Sequence, residues 1–216
     1  MTAAMLADWP EIGVHYSRFR LPPNLDDAID LDVLGDAPLL LGDAEVDALA
    51  FHGTSGSWTG LAGDRRLCAA LTQATGAPAT TASLAVLAAL QEFSLTRIAV
   101  VFPGPADIVS LIQREYAGHG IDLVHRSVPA AVMSNPQIAR LSRAEIGALM
   151  RPAFGGDVEA VVCVGTNLRS GYLAAEFEAE FGVPVIDSAT ATLWHLLRIA
   201  GASGPIPGWG RLLAAS

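Results

Sequence analysis

The stretch FHGTSGS, residues 51–57, has an echo in CVGTNLRS, residues 163–170. Each follows a short apolar run, reaches Gly-Thr and continues into small polar residues. The match extends to either side. Val46-Asp47-Ala48 corresponds to Val158-Glu159-Ala160 at the same offset that relates Gly53-Thr54 to Gly165-Thr166. Further on, GAPATTASLAVLAAL (Gly76–Leu90) has the layout of GVPVIDSATATLWHLL (Gly182–Leu197), at a slightly shorter offset. Strand, loop, helix and Gly-x-Pro recur in one order, so the repeat is of a half-domain and not of a loop. A short apolar run that stops at glycine before a helical pattern suits a buried parallel strand. The expected fold is α/β, two similar halves with parallel sheets, with both Gly-Thr loops at one cleft on the carboxyl ends of the strands.

The remaining segments keep the alternation. Strands are expected over Ile12–Leu21, Val46–His52, Arg97–Pro103, Ile121–Val128, Val158–Val164 and the short Pro184–Asp187, with a further short segment around Pro78–Thr81. Helical spacing follows in GDRRLCAALTQATG, SLAVLAALQEF, ADIVSLIQREYAGHG, SRAEIGALMRPAF, GYLAAEFEAEFG and SATATLWHLLRIAG. Ser142 and Glu145 are spaced as a capping box. LDDAIDLDVLGDAPLLL reads as helix or helix plus loop. These elements divide into an N-terminal half, 1–94, joined by the tail 202–216 with its turn-rich GPIPGWG, and a C-terminal half, 95–201.

Composition narrows the function classes. The net charge of −9 argues against a nucleic-acid partner, which needs basic patches. No apolar run approaches the ~18–20 residues of a membrane span, so no membrane is expected. The start, MTAAMLADWPEIG, lacks the basic and apolar regions of a signal peptide. Cys68 and Cys163 fall in a helix-like and a strand-like run, which predicts buried thiols and a cytoplasmic location.

The loops carry the chemistry. Backbone N–H groups at a strand-to-helix turn bear positive partial charge. Thr54, Ser55 and Ser57 add hydroxyl donors in the first loop, Thr166 and Asn167 polar donors in the second, and Gly56 permits close approach of the backbone. Two such loops suit a small dicarboxylate, or one carboxylate beside a developing enolate. Plain helix capping by Ser and Thr is the competing explanation.

The stretches GTSGS, GAPATTAS, GTNLRS and GVPVIDSATATLWHLLRIAG resemble the aspartate/glutamate racemase superfamily, and within it the maleate isomerase and arylmalonate decarboxylase branch. The resemblance covers about Ile12 to Gly201 and implies two flavodoxin-like halves with a cleft between them. It also implies catalysis without cofactor or metal, by one or two cysteines acting as acid, base or nucleophile. The chain departs from that pattern at both cysteine positions, which hold Gly53 and Gly165, and at Gly104, where the isomerases commonly carry tyrosine. The first strand of the family, with its Ser-Asn-rich loop, has no counterpart ahead of the first helix.

Glycine supplies neither a thiolate nor a thiol proton, so racemisation by two bases and covalent isomerisation lose their groups. Cys163 precedes Gly165 by two and is expected deeper in the core. His52, a weak candidate base, points to the opposite strand face from Gly53. Asn135 resembles a polar family position near the cleft, with a turn before Pro136 as the alternative. Arg169, Trp194, His195, Arg18 and Arg20 are expected to serve structure. Two functions stay open, beside a different reaction on a retained scaffold, since fold does not fix function. One is a cofactor-independent enzyme acting on a small carboxylate through polar loops, with decarboxylase- or lyase-like chemistry favoured over racemisation. The other is a catalytically lost relative that binds a ligand or a protein. The absent strand leads us to expect a homodimer, or a hetero-complex with a full-length relative.

Overall fold

The computed structural model describes residues 1–21, 29–202 and 204–215. The chain opens with short helices α1 (Thr2–Met5), α2 (Leu31–Leu34) and α3 (Ala37–Gly42). Strand β1 (Leu49–Phe51) leads through α4 (Gly56–Thr59) and α5 (Leu61–Thr75) to β2 (Ala79–Thr81) and α6 (Ala82–Glu92). Then follow β3 (Arg97–Val101), α7 (Ala106–Ala117), β4 (Asp122–Ser127), α8 (Asn135–Ile138), α9 (Arg143–Met150), β5 (Ala160–Cys163) and α10 (Ala174–Phe181). The last elements are β6 (Val185–Asp187), α11 (Ser188–Ile199) and α12 (Arg211–Ala214).

Among the described residues all pairing is parallel, in two sheets. β1 pairs with β2, and the second sheet has the order β4-β3-β5-β6. The β1-β2 pair repeats the β5-β6 pair, as the sequence repeat requires. Punctuation residues set the boundaries. Gly76 and Gly182 end α5 and α10 in the left-handed conformation, at φ 78° and 72°. That region costs a residue with a Cβ about 1–2 kcal/mol and glycine almost nothing. Thr81 caps α6 by accepting the Leu84 N–H at 3.1 Å, and Asp187 caps α11 by accepting the Ala189 and Thr190 N–H groups at 2.9 and 3.0 Å. The Ser142–Glu145 capping box forms at the start of α9.

Helices α6 and α11 pack on each other between the sheets. The largest core joins α6 to Ile98 and Val100 of β3 and to Ala191, Leu193, Trp194 and Leu197 of α11. The tail folds back through α12: the Arg211 N–H and the Val185 N–H both donate to Glu178, at 2.8 Å each. Among the described residues no helix is long and apolar enough to cross a membrane.

The strand expected over Ile12–Leu21 does not form. The segment has no regular structure, and Val14, Tyr16 and Leu21 are exposed. A strand is held by ladder bonds to a neighbour, and among the described residues none lies beside this one. The helix-or-loop segment beginning at residue 25 lies partly outside the described residues. From Leu31 onward it forms α2 and α3.

Candidate active site

The structure brings the two Gly-Thr loops together. Thr166 Oγ1 donates to the backbone carbonyl of His52 at 3.4 Å, joining the loop after β5 to the loop after β1. Asn167 extends the contact, its Nδ2 donating to Asn135 Oδ1 at 3.0 Å and to the Asn135 carbonyl at 3.3 Å. Thr166, Asn167, Asn135 and the first loop thus form one polar surface. Thr54 and Ser55 are buried. Among the described residues their hydroxyls, and the N–H groups of Thr54, Ser55 and Gly56, have no hydrogen-bond partner in the protein. Backbone donors left without a protein partner in this way are open to an acceptor.

Ser57 and Gly56 have different duties from those their sequence context predicts. The Ser57 N–H donates to Ser83 Oγ at 3.1 Å and its hydroxyl lies 3.4 Å from the Tyr116 hydroxyl, all buried. Ser57 thus ties α4 to α6 through its backbone N–H and to α7 through its hydroxyl. At Gly56 a Cβ would run into the Asp64 carboxyl group. Its missing side chain makes room for Asp64, not for a ligand.

Asp64 is itself buried and accepts a hydrogen bond from Thr81 Oγ1. Burial pushes its carboxyl up to about 6, against the opposing hydrogen bonds from Thr81 and Ser83. The second half has the same link with the partners exchanged: Ser170 Oγ donates to the buried Asp187, whose carboxyl burial also raises. In each half a carboxyl–hydroxyl pair joins the segment after the loop to the N-terminus of the central helix.

Gly53 and Gly165, at the positions where the resemblance leads one to expect cysteine, are held by different means. At position 53 a Cβ would stand 2.5 Å from Phe51 Cζ and 2.6 Å from Cε1. The Phe51 ring occupies that space and packs against Phe19, centroids 5.9 Å apart. Gly104 repeats the arrangement, with Phe102 Cε1 2.6 Å from the position of a Cβ; the Phe102 ring meets Trp58 edge-on at 5.7 Å. Gly165 has more space, Pro103 Cγ being 3.3 Å away, but its φ of 137° suits only glycine. Its N–H donates to Ser188 Oγ at 3.3 Å, and Ser188 in turn donates to the Cys163 carbonyl at 2.7 Å. The doubled Phe-x-Gly, at 51–53 and 102–104, was the available sequence signal for these rings. Nothing in one sequence signalled Ser188.

The side chains of the other candidates do not join these loop contacts. Cys163 is fully buried, and desolvation pushes its thiol up to about 12. Cys68 is partly buried on α5 and is likewise pushed up to about 12. His52 projects to the other face of β1, where it lines a cavity of about 410 Å³ with Ala48, Ala50 and residues of α11. The protein packed around its ring lowers its pKa, although the residue remains accessible from the cavity. Arg169, in the left-handed region at φ 58°, donates through Nη2 to the Leu141 carbonyl. His195 Nδ1 pairs with Thr80 Oγ1 at 2.8 Å, and Arg198 stacks on Trp194. Among the described residues no three His, Cys, Asp or Glu side chains gather as a metal site would need.

Two α/β halves with parallel sheets are the architecture shared with the maleate isomerase and arylmalonate decarboxylase group. The sequence matches arylmalonate decarboxylase as a family over residues 26–213, and the chain belongs to that family. It is 28% identical to the arylmalonate decarboxylase of Bordetella bronchiseptica, across 99% of this chain and 90% of the relative. A glycine-to-cysteine variant of arylmalonate decarboxylase, in a sulfate-associated form, superposes with a TM-score of 0.77 at 26% identity, covering 89% of this chain and 83% of that one. A maleate isomerase variant from Pseudomonas putida with maleate gives a TM-score of 0.86 at 22% identity, covering 99% and 90%. At that identity the likeness is one of fold.

Proposed function

We propose that this chain is a cofactor-independent decarboxylase of a small, aryl-substituted dicarboxylate, working through its polar loops without a cysteine. The observation that carries this reading is the unpaired set of donors at Thr54–Gly56, facing the second loop across the Thr166–His52 contact. One carboxylate accepts from these groups. Loss of the other as CO₂ breaks the Cα–carboxyl bond and leaves its electron pair on the α-carbon. That charge delocalises into the bound carboxylate as an enediolate, where the same donors hold it. Water then returns a proton to the α-carbon. Phe51, Phe102 and Pro103 give the glycine positions an apolar wall, and a carboxylate held against such a wall is destabilised relative to neutral CO₂. No step asks for a thiol, in keeping with Gly53 and Gly165.

The test is turnover of phenylmalonate, followed as CO₂ release, before and after thiol alkylation. Activity is expected to survive alkylation. Thr54→Val and Thr166→Val are each expected to reduce kcat/KM about fivefold, the scale of one neutral hydrogen bond near 1 kcal/mol. Activity that alkylation abolishes would overturn the thiol-free mechanism. The second reading, a ligand- or protein-binding subunit, draws on the edge of β1 that is unpaired among the described residues. Calorimetric binding of a malonate without turnover would favour it.

A further inference from the structure

We infer that Asp64 is a positioning residue of the first loop, and that its carboxyl takes up a proton when the loop binds a carboxylate and releases it when the ligand leaves. The inference rests on the carboxylate-binding reading of Thr54–Gly56. A Cβ on Gly56 would meet Cγ and both carboxyl oxygens of Asp64, so the carboxyl lies directly against the backbone of the loop. Asp64 is only 3% exposed, and water does little to screen it. Thr81 Oγ1 donates to the carboxyl and accepts the Leu84 N–H at 3.1 Å. Ser83 also bonds to the carboxyl, and Ser83 Oγ accepts the Ser57 N–H at 3.1 Å. Two hydroxyls at the start of α6 thus converge on Asp64, and through Ser83 the carboxyl is tied to the residue that follows the loop.

The repeat shows what is particular to this carboxyl. By position Asp64 corresponds to Ser170 and Thr81 to Asp187. Asp187 accepts the N–H groups of Ala189 and Thr190 as well as the Ser170 hydroxyl. An N–H can only donate, so those bonds favour the charged carboxylate. Thr81 and Ser83 instead meet Asp64 through hydroxyls. A hydroxyl donates to a carboxylate and turns to accept from a carboxylic acid. Asp64 can therefore gain or lose a proton without giving up these hydrogen bonds.

Charge supplies the coupling. Burial holds the Asp64 carboxyl at about 6. The hydrogen bonds from Thr81 and Ser83 and the charge of Arg65 act against the rise, and Glu115 adds to it. Cys68 on the same helix and Tyr116 beside Glu115 on α7 also face Asp64, with thiol and phenol pushed up to about 12, so neither changes charge between pH 5.5 and 8. α4, β2 and the first turn of α6 contain no charged residue. A carboxylate held by Thr54–Gly56 places a second negative charge one backbone segment away from Asp64. Like charge disfavours the ionised form of its neighbour, so the ligand pushes Asp64 further up. By reciprocity protonated Asp64 favours the bound anion. Each unit by which the ligand raises Asp64 is about a tenfold gain in affinity at low pH.

Phenylacetate, the product expected from phenylmalonate, is the probe, because a simple carboxylate stays largely ionised from pH 5.5 upward. It is to be titrated calorimetrically into the full chain at pH 5.5, 6.5 and 8, each in two buffers of different ionisation heat, which yields both the affinity and the protons exchanged. Affinity is expected to be about five- to tenfold higher at pH 5.5 than at pH 8, with about half a proton taken up per ligand at pH 6.5. Asp64→Asn keeps the shape of the side chain and removes its titration. Folded by circular dichroism, it should bind with little dependence on pH and no proton uptake. Thr81→Val withdraws a hydrogen bond that favours the ionised form, so the midpoint of the binding profile should move to higher pH, and Thr81→Ser should restore it. The Thr81 pair decides the matter even where Asp64→Asn does not fold. Binding that is independent of pH, a pH dependence that persists in Asp64→Asn, or a midpoint that Thr81→Val leaves in place would overturn the inference and leave the carboxylate-binding reading standing. Absence of binding at every pH would overturn that reading and the inference with it.

Discussion

Adding one methyl group at Gly53 isolates the contact that keeps a side chain out of the first loop. In Gly53→Ala the new Cβ would stand 2.5 and 2.6 Å from two atoms of the Phe51 ring, about 1 Å inside ordinary carbon–carbon contact. The ring is 8% exposed and packed against Phe19, so it can yield only by disturbing its neighbours. Overpacking of this kind costs about 1–3 kcal/mol. Replacing glycine by alanine returns about 0.4–1 kcal/mol through the unfolded chain, which leaves a net loss of about 1–2 kcal/mol. Phe51→Leu alone should cost less than the ~3–5 kcal/mol typical of Phe→Ala. In the double variant the clash disappears, so the two changes should couple favourably by about 1–2 kcal/mol. Urea unfolding of the parent, both single variants and the double variant gives the cycle. Gly165→Ala is the contrasting control: its cost of about 1–3 kcal/mol comes from backbone conformation, and Phe51→Leu should leave it unchanged. A neutral Gly53→Ala, or a cycle that closes additively, would refute the steric account of the first loop.

Other outcomes follow from the buried carboxyls and the thiols. Asp64 is held at about 6 in the folded protein, above its value in the unfolded chain, so folding favours its protonated form. The stability this lends is present below about pH 4 and is lost as pH rises through about 6, on the order of 2–3 kcal/mol. Asp64→Asn should remove that part of the slope, read from urea midpoints between pH 4 and pH 8; an unchanged slope would place the proton elsewhere. Gly56→Ala should destabilise by about 1–3 kcal/mol, as its Cβ displaces the Asp64 carboxyl. Thermal melts that match the parent would show that the site relaxes. Under native conditions Cys163 should resist alkylation, being fully buried with its thiol held near 12. Fast labelling on a mass spectrum would mean that β5 opens.

The sequence repeat was sufficient for the class of fold. Continuous apolar runs at β1, β3 and β5 admit only buried strands, and each is followed by a helical period, so parallel α/β halves were legible without coordinates. Single residues with local duties were legible as well: the Ser142–Glu145 box, the glycines ending α5 and α10, and the alternation that sends His52 away from Gly53. These depend on neighbours within a turn or on strand parity, which the chain carries in its own order. What the sequence could not decide was where side chains from distant segments meet. Ser57 reads as a loop donor until Ser83 and Tyr116 are found against it. Gly56 reads as room for a ligand until Asp64 fills that room. Ile12–Leu21 has the composition of a strand, but a strand exists only through hydrogen bonds to a neighbour. Whether a neighbour stands beside it is a property of the assembled sheet. Gly53 is open to any side chain on paper and closed by the Phe51 ring in three dimensions, because packing density is set by contacts that no local pattern encodes.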